Sequence, residues 1–181
     1  ATGQECQRFT AKHAMSPGDE LTMAGLRWQV LAAPGHDDDA VLLFEPTARL
    51  LIAGDAIWGS GLSVVFPEID ERVGFAGVAA TLDAIESLQA RVIIPGHGPL
   101  ITDASAALAQ SRSRLAHFER NPAAHAMYAA KVLLKFHLLA VQHSSWPALM
   151  TWMAQVPHLQ ALHRQSGSRV SYAQWGEDLV S

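Results

Sequence analysis

The pattern of apolar and polar positions changes character part-way along the chain. Up to residue 102, apolar positions come in short runs closed by turn residues. Ser16-Pro17-Gly18-Asp19 reads as a turn. The pattern predicts a strand over residues 26–32, closed by Pro34-Gly35, and a second over residues 40–45, closed by Pro46-Thr47. A third is predicted over residues 50–53 and stops at Gly54. Short, apolar, turn-bounded runs suit strands buried within a sheet. Phe75, Val78, Ala79, Leu82 and Ile85 recur at helical spacing, which predicts an amphipathic helix over residues 74–89. Val92-Ile93-Ile94 is β-branched and stops at Pro95-Gly96, which predicts one more strand.

From residue 103 onward the pattern is helical only. Asp103 is placed to cap a helix running to Arg120, and Asn121-Pro122 breaks it. The next helix carries Met127, Ala130, Leu134, Leu138 and Val141 along one face. Ser144 or Ser145 can cap a third, with Pro147 tolerated in its first turn. The stretch holding Tyr172 and Trp175 gives no clear period. The expected organisation is therefore a mixed region, residues 1–102, followed by a helical region, residues 103–181. No internal repeat or low-complexity segment interrupts either.

Composition narrows the classes. With 49% hydrophobic and 17% charged residues, disorder is excluded. No uninterrupted apolar run approaches the ~20 residues of a membrane span, so no membrane association is expected. The net charge is -4 and the 13 Lys and Arg residues are scattered, so no nucleic-acid partner is expected. Cys6 is the single cysteine, which rules out an internal disulfide and fits a reducing, cytoplasmic setting. The chain starts at Ala1 without a basic-then-apolar leader, and both ends read as cut. At 181 residues it can be one modest domain or part of a larger one.

Three turns share one grammar: Pro34-Gly35-His36-Asp37-Asp38-Asp39, Gly54-Asp55-Ala56 and Pro95-Gly96-His97-Gly98-Pro99. Each puts a metal-ligand residue type in a glycine-bearing turn just after an apolar strand. The strand supplies a rigid base, the turn exposes the side chain at the sheet edge, and glycine keeps bulk away. Two imidazoles and a carboxylate suit zinc, and also iron or manganese. A carboxylate can bridge two ions.

In this order, and with this spacing, the three turns resemble the metallo-β-lactamase superfamily. The resemblance covers residues 16–102. It implies half of an αββα sandwich, with metals at one edge between the sheets, followed here by a helical C-terminal region. It implies that His36 sits on the first metal, that Asp55 bridges both and that His97 sits on the second. The implied cofactor is a pair of zinc ions, with iron or manganese as alternatives. The implied activity is hydrolysis of an ester, thioester, amide or phosphoester in a small-molecule substrate by activated water. The family's His-x-His-x-Asp-His motif is absent from this sequence. His13 is the one histidine before His36, and its neighbours do not fit the motif. Two donors per ion fall short of the three or four that zinc takes. This chain alone is therefore expected to bind metal weakly and to be inactive. Without the preceding half, one sheet face should be apolar and uncovered, so self-association or a missing N-terminal half is expected. The alternative is a non-catalytic module whose helical tail binds a partner protein or nucleic acid.

Each feature also has a plain structural explanation. His36 alone is a polar turn residue, and Asp55 alone is a cap for a helix starting at Ala56. Asp37, Asp38 and Asp39 either orient His36 or form a solvated acidic turn, and Asp39 can face inward. His13, His117, His125, His137, His143, His158 and His163 read as helix or surface residues. Trp146, Trp152 and Trp175 read as core of the helical region.

Overall fold

The structure is a computed structural model and describes residues 10–70, 72 and 74–180; Cys6 lies outside them. It forms two compact units, divided between Glu119 and Arg120.

The first unit holds one five-stranded sheet in the order β1 (Glu20–Met23), β2 (Leu26–Ala32), β3 (Val41–Glu45), β4 (Leu50–Gly54), β5 (Val92–Pro95). β1 through β4 are antiparallel neighbours, and β5 joins β4 in parallel through a crossover carrying α1 (Phe66–Ile69) and α2 (Phe75–Ser87). Such a parallel return needs a long connection, which α2 supplies. The antiparallel steps make β2, β4 and β5 run in one direction. Their carboxyl ends, and so all three glycine-bearing turns, emerge on the same edge. The strands from Leu26 onward and α2 match the apolar pattern to within one or two residues at each end. β1 and α1 do not show in that pattern, because Glu20–Met23 is largely exposed and α1 is a single turn.

Strand registry separates two faces. Phe44, Leu51 and Ile93 lie opposite one another, and with Leu42 and Ala53 they are buried. They form the core with Val78, Leu82 and Ile85 of α2. On the other face Leu43, Ile52 and Ile94 lie in one row, and Leu50 and Val92 in another. All five are half-buried, although Trp28 and Val30 on the same face are fully buried. An apolar, incompletely covered second face is what half of a two-sheet sandwich presents.

α3 (Ala104–Arg120) lies almost wholly in this first unit. Asp103 caps it by accepting from the Ala106 N–H at 2.9 Å. Ser111 Oγ donates to the Gly61 carbonyl, and Arg112 pairs with Asp83 and Glu86 of α2. The composition changes at residue 103, but the compact units divide after α3, because these contacts tie α3 to the mixed unit.

The second unit holds α4 (Pro122–Val141), α5 (Trp146–Gln155), α6 (Pro157–Gln165) and α7 (Tyr172–Val180). Asn121 and Ser145 cap α4 and α5. Leu133, Leu134, Met153, Leu159, Leu162 and Trp175 are buried here. Trp146 departs from the expected core: at the first position of α5 it is exposed. α4 has 20 residues and is long and apolar enough, by length and composition only, to cross a membrane. No uninterrupted apolar run of that length shows in the sequence, because His125, Lys131, Lys135 and His137 break it. In this unit α4 is the helix against which α6 and α7 pack.

Candidate metal centre

The site grows from the edge where β2, β4 and β5 end. The Gly96 N–H donates to the Gly54 carbonyl at 2.7 Å, which binds the second turn to the third. A Cβ on Gly96 would stand 2.6 Å from Asp55 Oδ1 and 3.1 Å from the Gly54 carbonyl carbon, so only glycine permits this approach. Gly35 has φ +143°, and a Cβ there would meet the Val78 backbone at 2.9 Å, so the first turn is pressed onto α2. The Thr81 hydroxyl holds the same turn by donating to the Pro34 carbonyl at 2.8 Å.

These turns bring His36, Asp55 and His97 together. His36 Nε2 stands 3.5 Å from Asp55 Oδ2, and His97 Nε2 stands 3.7 Å from Asp55 Oδ1. The carboxylate lies between the two rings and shows one oxygen to each. His36 Nδ1 donates to the Val64 carbonyl at 2.7 Å. A carbonyl only accepts, so Nδ1 carries a proton and the ring presents Nε2 toward Asp55. Fixing the far nitrogen in this way is how proteins orient metal-binding histidines.

The separations suit bound cations better than hydrogen bonds. Two ligands, each about 2.1 Å from one tetrahedral ion, lie roughly 3.4 Å apart. N–H···O hydrogen bonds are shorter, at about 2.9 Å. The donors fall into two pairs that share Asp55. Among the described residues, no three His, Cys, Asp or Glu side chains surround a single point as one ion's ligands. The residues therefore fit two half-built sites.

Other side chains shape the site. Trp58 Nε1 donates to Asp55 Oδ1 at 2.9 Å, and the Trp58 ring meets His97 edge-on with centroids 5.4 Å apart. Phe66 meets the His36 ring at 5.1 Å. Ser63 Oγ donates to the Asp55 carbonyl at 2.8 Å. Sequence reasoning missed Trp58, although a bulky aromatic ring in the glycine-flanked segment 58–61 was a usable signal. The Val64 carbonyl carries no sequence signal.

The acidic turn resolves into local roles. Asp37 Oδ1 accepts the Asp39 N–H, Asp38 pairs with Arg72, and Asp39 is exposed rather than facing inward. Asp55 caps no helix, because residues 55 and 56 form a turn.

Three glycine-bearing turns thus gather His36, Asp55 and His97 at one edge of a mixed sheet. The chain belongs to the metallo-β-lactamase superfamily, whose family profile matches residues 7–97. It is 34% identical over 89 residues to a β-lactamase-like protein 2 homolog of Caenorhabditis elegans, covering 49% of this chain and 28% of that protein. It is 35% identical over 63 residues to a hydroxyacylglutathione hydrolase of Idiomarina loihiensis, covering 35% of this chain and 24% of that protein. A solved β-lactamase domain protein from Burkholderia ambifaria superposes with a TM-score of 0.52 at 19% identity, covering 83% of this chain and 44% of that one. The chain thus spans only part of the length of these relatives.

Proposed function

We propose that this chain supplies His36, Asp55 and His97 to a dinuclear metal centre that hydrolyses a small-molecule ester, thioester, amide or phosphoester. The observation that carries the reading is the shared carboxylate, with Asp55 Oδ2 toward His36 and Oδ1 toward His97. A bound metal pair would supply an acidified water and polarise the scissile bond. The chain's own residues do the holding: His36 is fixed through Val64, Asp55 is fixed through Trp58, and Gly96 lets the third turn close. Two protein donors per ion leave each site short of a full set, so this chain alone binds metal weakly and turns over no substrate. The name of the Idiomarina relative makes a thioester the first substrate class to try.

Elemental mass spectrometry after chelator-free purification tests the reading. Substoichiometric metal is expected, rising when an upstream segment bearing further histidines is supplied. Two tightly held ions per chain would mean that other groups complete the sites, and the half-site reading would fall.

A further inference from the structure

We propose that Trp58 is a positioning residue for the metal centre, setting the angle at which Asp55 presents its two oxygens. The inference rests on the metal reading above and deepens it. Trp58 has no atom that ligates a hard or borderline cation, so coordination does not explain its place. Its indole N–H points at Asp55 Oδ1, the oxygen on the His97 side, at 2.9 Å. Its ring edge meets His97. One side chain thus touches two of the three donors. The backbone below it is held twice, by a bridge between Trp58 and Gly61 and by the Ser63 hydroxyl on the Asp55 carbonyl.

The chemistry follows from the donor count. A carboxylate rotates freely about its last bond unless something holds an oxygen. With Oδ1 held by the indole, Oδ2 is directed at His36, whose own Nε2 is aimed by the Val64 carbonyl. Oδ1 keeps a lone pair for the His97 side but gives up electron density to the N–H. Trp58 therefore does two things: it fixes the bridge, and it makes the His97-side oxygen the weaker donor.

The test is a cobalt(II) titration of this chain, read by visible absorption, on wild type, Trp58→Phe, Asp55→Ala and the double variant. Trp58→Phe keeps an aromatic ring and removes the donor. The expected result is a rise in the apparent dissociation constant of about 10- to 100-fold, with an unchanged thermal midpoint. In the Asp55→Ala background the same substitution should change nothing, because Trp58 acts through that carboxylate. A Trp58→Phe variant that binds like wild type, or an effect that persists without Asp55, overturns the inference and leaves the metal reading standing. A wild-type chain that takes up no cobalt overturns both. Should Trp58→Phe not fold, the wild-type Trp58 indole N–H resonance decides. It should shift in Asp55→Ala, and no shift overturns the hydrogen bond on which the inference stands.

Discussion

The two compact units are similarly apolar but differ in what their histidines do. In residues 11–119, His36 and His97 sit in turns at the ends of strands, and each faces a carboxylate oxygen. In residues 120–180, His137 and His163 sit on helices and meet rings instead. His137 stacks on Trp152 at 3.7 Å with planes 10° apart, and His163 lies against Tyr172 and Trp175. The difference is one of backbone. Three strands ending on one edge can aim side chains from distant parts of the sequence at a single point. In the helical unit His137 and His163 are used in packing against aromatic rings.

The largest test of this contrast is removal of Asp55, the one donor shared by both half-sites. Asp55→Ala should lower zinc uptake further than any other single substitution, leaving only the residual affinity of His36 and His97, read by calorimetry or elemental analysis. His137→Gln should leave uptake unchanged. Metal binding that followed His137 instead would break the comparison.

Glycine substitutions sharpen it further. Gly96→Ala drives a methyl group into Asp55 Oδ1 at 2.6 Å and the Gly54 backbone at 3.1 Å. The expected cost is about 1–3 kcal/mol of stability, with a loss of metal affinity. Gly176→Ala in α7 also meets close neighbours, Met150 Sδ at 2.9 Å and Met153 Cε at 3.3 Å. Those are the ends of flexible side chains, and alanine favours a helix by about 1 kcal/mol over glycine. Thermal unfolding should show Gly176→Ala near neutral and Gly96→Ala clearly destabilised.

The half-buried row Leu43, Ile52 and Ile94 gives the next test. We propose that this face drives self-association when nothing else covers it. Light scattering should show a mass above the monomer, and Leu43→Lys should lower it toward monomer. A wild-type monomer at high concentration would remove the idea.

These regions were unequally legible in the sequence. Strands β2 to β5 and α2 were readable because buried runs bounded by Pro and Gly carry a strong local signal. The three candidate residues, His36, Asp55 and His97, stood out because each follows such a run. The boundary between the units was not. α3 has a helical pattern like α4, and only tertiary contacts, Ser111 to Gly61 and Arg112 to Asp83 and Glu86, assign it to the sheet unit. The roles of Trp58 and of the Val64 carbonyl arise from pairings across space. The histidine stack on Trp152 was hidden for the same reason, since its partner lies on another helix.

The smallest expected effect is in pH response, and there the units should separate. His137 has its pKa lowered from 6.5 by desolvation. The unfolded chain then binds that proton first as pH falls. Stability of the helical unit is full above the ordinary histidine range and declines as pH drops through it. In the sheet unit, Glu45 has its pKa lowered from 4.5, chiefly by the backbone N–H of Ala48 and then by that of Thr47, against the opposing effect of burial. Its contribution is full above the ordinary carboxylate range and disappears only as pH falls below it. Tryptophan fluorescence melts across pH should therefore lose helical-unit stability first, and His137→Phe should flatten that early decline. Glu45→Gln should lower the midpoint at neutral pH and leave little further loss in the acid range. If each variant shifted one common melting transition, the two units would be unfolding as one, and the division between them would be a matter of geometry without independent stability.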